Sequence, residues 1–96
     1  MINYKNQILK NICYTDLVYG RINKKLNIEL TKEEIEKMIY EVIEETNETK
    51  FKKTGKNIYI TNDNKDIRLT INSYTNRIIT ADSLKKQRTA NNVYTK

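Results

Sequence analysis

Four residues in the C-terminal half carry groups suited to handling a phosphodiester: Lys56, Arg68, Arg77 and Thr80. An ammonium and two guanidinium groups can hold a phosphate and offset the charge that develops on its oxygens, and a hydroxyl can position a ribose 2′-hydroxyl for internal attack. Tyr59 and Tyr74 add rings on which bases could stack, while Thr70, Asn72 and Ser73 add short polar groups between them. The same tyrosines also suit ordinary strand positions that half-cover a sheet. What is missing is a general base: the chain has no histidine, which excludes a Ser-His-Asp or Cys-His mechanism. Gly20 and Gly55 are its only glycines, so there is no glycine-rich phosphate loop. The candidate catalytic set is therefore Lys56, Arg68, Arg77 and Thr80. The candidate nucleic-acid set is Lys56, Tyr59, Arg68, Thr70, Asn72, Tyr74 and Arg77, with Lys85, Lys86 and Arg88 from the tail.

These residues need a scaffold, and the stretch from Lys56 to Asp82 predicts one. Ile58 and Ile60 alternate with Asn57, Tyr59 and Thr61, at the period of two that buries one face of a sheet and wets the other. Ile67, Leu69 and Ile71 form the next apolar row and send Arg68, Thr70 and Asn72 to the opposite side. The third run is ambiguous because Ile78 and Ile79 are adjacent. With Ile79 and Ala81 inward, Ile78, Thr80 and Asp82 line the outer face; a slip of one residue exposes Arg77 instead. The links 61–65 and 73–76 are short and turn-like, which predicts an antiparallel meander rather than a parallel crossover. Phe51, in a polar stretch before the Thr54-Gly55 turn, marks a short edge strand.

Helices precede this meander. Thr31 and Glu34 form a capping box ahead of an apolar stripe of Ile35, Met38, Ile39, Val42 and Ile43, which predicts a helix from Lys32 to about Glu45. Leu17, Val18, Ile22 and Leu26 trace a second helix behind Thr15, in which Gly20 implies either close packing or a break. Ile2, Ile8, Leu9 and Ile12 suggest a weak helix or a docked extension before it. The expected fold is α+β: two N-terminal helices packed on one face of a three- to four-stranded antiparallel meander. Residues 1–84 form a single domain and 85–96 a basic, loosely held tail.

With 96 residues the core must be small. The net charge of +6 is unevenly distributed: residues 31–50 carry three basic and seven acidic side chains, residues 51–96 ten and three. A basic sheet half set against an acidic helix implies a polyanionic partner meeting the sheet and tail. The single Cys13 forms no internal disulfide, and without histidine the usual Cys/His zinc site is excluded. No cofactor or metal is expected. No apolar run is long enough to span a bilayer and the amino terminus lacks a signal-peptide core, which predicts a cytoplasmic protein without membrane contact.

The segments NICYTDLVYGRINKKL, LTKEEIEKMIYEVIEET, GKNIYITN and DIRLTINSYTNRIITADSL together resemble a small bacterial family of unknown function found in low-GC Firmicutes and their mobile elements, over roughly residues 11–84. More distantly, helices followed by a meander ending in IRLTINSYTNRIIT are similar to the barnase and RelE-like RNase toxins, a resemblance that implies roles for Arg68, Arg77 and Thr80. The leading expectation is an RNA- or other nucleic-acid-binding domain, extending to a toxin-like metal-independent RNase. The alternative is a non-catalytic phage or mobile-element inhibitor, such as an anti-CRISPR, that blocks a nucleic-acid-processing enzyme. A third reading is a homodimer paired edge to edge, with Ile78, Val93 and Tyr94 exposed.

Overall fold

A computed structural model describes residues 4–84. Three helices, α1 (Tyr4–Asn11), α2 (Asp16–Leu26) and α3 (Lys32–Glu45), are followed by a short 3-10 turn, Glu48–Lys50, and four strands. These are β1 (Phe51–Thr54), β2 (Asn57–Asn62), β3 (Ile67–Asn72) and β4 (Ile78–Ser83). The strands pair antiparallel in chain order, so the meander stands as expected. The N-terminal extension is a full helix, making three helices rather than two.

Each element follows from a local cause. Thr31 Oγ1 accepts from the Glu34 amide at 3.2 Å while Glu34 Oε1 accepts from the Thr31 amide at 2.8 Å, closing the capping box. Thr15 occupies the N-cap of α2 with an extended backbone, but its side chain makes no capping bond. The helix ends where Asn27 takes a left-handed conformation, φ 57°, and returns its amide to the last turn. Gly55, φ 61°, makes the β1–β2 turn in the backbone region that lacks a steric penalty only for glycine. Gly20 meets neither expectation: α2 runs through it unbroken and no neighbour approaches where its Cβ would stand.

A single core joins the layers. Ile8 from α1, Val18 and Ile22 from α2, and Ile35, Ile39, Val42 and Ile43 from α3 meet Ile58, Ile60, Ile67, Leu69, Ile71, Ile78 and Ala81 of the sheet. Most of these are isoleucine, whose branched Cβ leaves little rotamer freedom to lose on burial. The ambiguity in β4 is resolved by a bulge: Leu69 pairs with Ala81 and Thr70 with Thr80, but Ile71 pairs with Ile78. The extra residue lets Ile78 and Ala81 both face inward, an arrangement that strict alternation forbids. Ile78 is only 1 % exposed, which overturns its assignment to the outer face and to a dimer patch. Leu17, expected in the buried stripe of α2, is instead 79 % exposed.

The two sheet edges differ. Along β4, α2 lies close enough for Arg21 to donate to the Ile79 carbonyl at 3.2 Å and for Lys25 to reach Asp82 at 3.4 Å. Cys13 adds a parallel bridge at Arg77, through Cys13 N to Asn76 O and Ile78 N to Cys13 O, each 3.0 Å. Among the described residues the edge without a neighbour is β1, where Lys52 and Lys53 are exposed, a charge that discourages pairing with another strand. Beneath the other end of the sheet, Asn62 is buried. It donates to Glu45 Oε1 at 3.2 Å and to Thr46 Oγ1 at 2.9 Å, and it accepts from the Lys65 amide at 2.9 Å. Because an orphaned buried group costs about 1–3 kcal/mol, Asn62→Ala is expected to lower stability by that amount in urea unfolding, whereas Asn64→Ala, on the exposed turn, should not.

Candidate nucleic-acid interface

Strand register defines the face that the helices leave uncovered. Lys52, Tyr59, Thr70 and Thr80 form one row across all four strands. Thr61, Arg68 and Asp82 form a second row beside it; Thr54, Asn57 and Asn72 form a third on the other side. Of the expected residues, Tyr59, Arg68, Thr70, Asn72 and Thr80 therefore share one surface. At its centre the Arg68 guanidinium lies over the Tyr59 ring, 5.8 Å from the centroid. Such a pair fixes a flat cationic platform, worth about 0.5–1 kcal/mol where exposed and more where dry.

This face is less open than alternation alone implies. Tyr59, Arg68, Asn72 and Thr80 are half-buried, and Thr70 is only 7 % exposed, so Thr70 offers little of its surface there. Among the described residues Asn57 Oδ1, Arg68 Nε and Thr80 Oγ1 are buried without a hydrogen-bond partner, and all three lie on this same face. Three unmet polar groups clustered on one surface are a local cost that a protein domain seldom carries. Asn72 is partly engaged: its Oδ1 accepts from the amides of Tyr74, 2.8 Å, and Thr75, 3.0 Å, so that oxygen builds the β3–β4 turn.

That turn is held firmly. Ser73 donates through both its amide, 2.8 Å, and its hydroxyl, 2.9 Å, to the Lys56 carbonyl, and Gln7 reaches Asn76 Oδ1 at 3.1 Å from α1. Tyr74 is thereby presented to solvent, 76 % exposed, on a preorganised loop, with the exposed Lys56 side chain on the neighbouring turn. Arg77 is exposed too, but it lines a groove with α2 and does not stand beside Arg68. The four catalytic candidates thus divide: Arg68 and Thr80 lie on the face, Lys56 and Arg77 at the turn end. Arg68 is four residues along β3 from Asn72, roughly 13 Å at strand rise. Lys85, Lys86 and Arg88 lie outside the described residues. Lys52 was missed by sequence reasoning; only the β1–β2 register places it in the Tyr59 row.

The most strongly perturbed titratable groups sit elsewhere, between α2 and α3. Tyr19 donates to Glu36 Oε2 at 2.6 Å and stacks on Tyr14 with ring centroids 5.5 Å apart, while Lys32 Nζ lies over its ring, 5.3 Å from the centroid. The hydrogen bond to Glu36 pushes the Tyr19 phenol up to about 12, and burial, with Glu36 nearby, raises Tyr14 as well. Because the folded value exceeds the ordinary 10.0, the Tyr19–Glu36 contribution is fully present below pH 10 and is lost as pH rises through about 12. In a tyrosinate absorbance titration, Glu36→Gln is expected to return the Tyr19 step toward 10; an unchanged curve would deny the contact its role.

Among the described residues no group of three or more acidic or cysteine side chains could hold a metal ion, and no helix is long and apolar enough to cross a membrane. No curated protein and no solved structure matches the chain. Residues 6–82, from α1 almost to the end of β4, match the model of the family described as Protein of unknown function (DUF3781), and the chain belongs to that family.

Proposed function

We propose that this protein is a small basic module that binds single-stranded nucleic acid, RNA in preference to DNA, across the outer face of its sheet. The observation that carries the reading is the Arg68–Tyr59 platform, flanked by the exposed cations Lys52 and Lys56 and by the solvent-facing ring of Tyr74. Such a surface supplies stacking and phosphate contacts together, which is the combination that single strands require. The preference for RNA rests on the proposed distant resemblance of IRLTINSYTNRIIT to the barnase and RelE-like toxins. The separation of Lys56 and Arg77 from Arg68 and Thr80 favours binding over cleavage. In equilibrium titrations with a single-stranded RNA, affinity is expected to fall steeply and linearly on a log scale with salt. Binding that ignores salt, or no binding at low salt, sinks the proposal.

A second reading is a phage or mobile-element inhibitor of a nucleic-acid enzyme. It is favoured by the opposition of a basic sheet to α3, whose sequence KEEIEKMIYEVIEE carries half of the chain's acidic side chains on the other side of the core. Co-purification of the intact chain with a nucleic-acid enzyme, undiminished by nuclease treatment, would select it over the first.

A further inference from the structure

We infer that the groove between α2 and β4 is a second, separate binding site, and that its ligand is an acidic peptide segment of a partner protein that seats one apolar side chain there. The groove, about 260 Å³, is lined by Thr15, Leu17, Val18, Arg21, Arg77, Ile78 and Ile79. That volume suits one or two side chains and is below the usual range for a drug-sized ligand. Its chemistry is divided: Leu17, Val18, Ile78 and Ile79 supply aliphatic lining, and Arg21 and Arg77 supply two guanidinium groups, with no carboxylate among the lining residues.

Both arginines are available. Arg21 spends one donor on the Ile79 carbonyl and keeps its others, and the Arg77 side chain has no hydrogen-bond or ion-pair partner among the described residues. A guanidinium offers paired donors that match a carboxylate or a phosphate equally well. The apolar lining decides between them. Leu17, at 79 % exposure, is the most exposed large hydrophobic among the described residues, and it projects at the rim between the two arginines' elements. A sugar-phosphate backbone offers Leu17 and Ile79 little apolar surface to pack against, whereas a peptide with an apolar residue flanked by Asp or Glu satisfies both halves of the groove. A lone exposed leucine is ordinary; one beside a groove whose only charged lining residues are Arg21 and Arg77 marks a complementary surface.

The site is independent of the sheet face, because neither Leu17 nor Arg21 belongs to it. The test is selection of a displayed library of short random peptides against the full chain, followed by fluorescence anisotropy with the enriched peptides. Enrichment of an apolar residue next to acidic ones is expected, with affinity lowered about tenfold or more by Arg21→Ala and by Leu17→Glu. Both positions are exposed, so circular dichroism should show an unchanged fold. RNA binding should be unaffected by either substitution. Selection that yields no acidic-apolar pattern, or peptides that bind both variants as they bind the parent, overturns the inference. A loss of RNA binding in Leu17→Glu overturns it as well, by making the groove part of the nucleic-acid surface.

Discussion

Leu69→Ala is expected to lower stability by about 2–5 kcal/mol and to leave so small a domain largely unfolded. Leu69 is fully buried at the middle of β3, between Ile60 of β2 and Ala81 of β4, and it faces the helices across the core. Neighbouring isoleucines hold narrow rotamer choices, so the cavity would collapse poorly. The control is the next residue. Arg68→Ala forfeits the contact over Tyr59 but also removes an unpartnered Nε, two small effects of opposite sign that should leave stability within about 1 kcal/mol of the parent. Urea midpoints with unchanged slopes would measure both. If Arg68→Ala unfolded the domain while Leu69→Ala were tolerated, the faces of β3 would be assigned backwards.

Reversal of the two exposed cations that flank the sheet face, Lys52→Glu with Lys56→Glu, is expected to reduce affinity for single-stranded RNA by about a hundredfold. In the proposed complex each change sets a repelling carboxylate beside a phosphate, and the slope of log affinity against log salt should fall by roughly 1 to 2. Neither lysine contributes to the core, and surface changes of this kind usually cost no more than about 0.5 kcal/mol, so the thermal midpoint should hold. An unaltered salt slope in a folded variant would place the RNA elsewhere. Arg68→Ala in the same assay separates stacking from charge: it should weaken binding at every salt concentration while lowering the slope by no more than about one phosphate contact.

Local patterns in this chain were enough for most of the architecture. The capping box at Thr31 and Glu34, the stripe on α3 and the alternation in β2 and β3 each state a periodicity that only one backbone geometry can satisfy. Three elements in succession with short turns between the strands leave an antiparallel meander as the simplest closure. The shared polar face of Tyr59, Arg68 and Thr80 was legible for the same reason. Side chains two apart on a strand point the same way, whatever lies beneath them.

Tertiary packing decided the rest. Whether Ile78 or Ile79 turns inward is not a property of β4, since both are equally apolar; the bulge opposite Ile71 arises because the core has room for Ile78 and Ala81 together. Leu17 fits the stripe of α2 as well as Val18 does, yet α2 lies along β4 with Val18 and Ile22 toward the core, which leaves Leu17 at the rim of a groove. Lys52 joined the sheet face only through its register with Tyr59, and Arg77, bridged to Cys13, lines the groove with α2. Sequence periodicity specifies the face of an element that is apolar. Which part of that face is covered, and which polar groups end up side by side, depends on residues far apart in the chain competing for the same core volume.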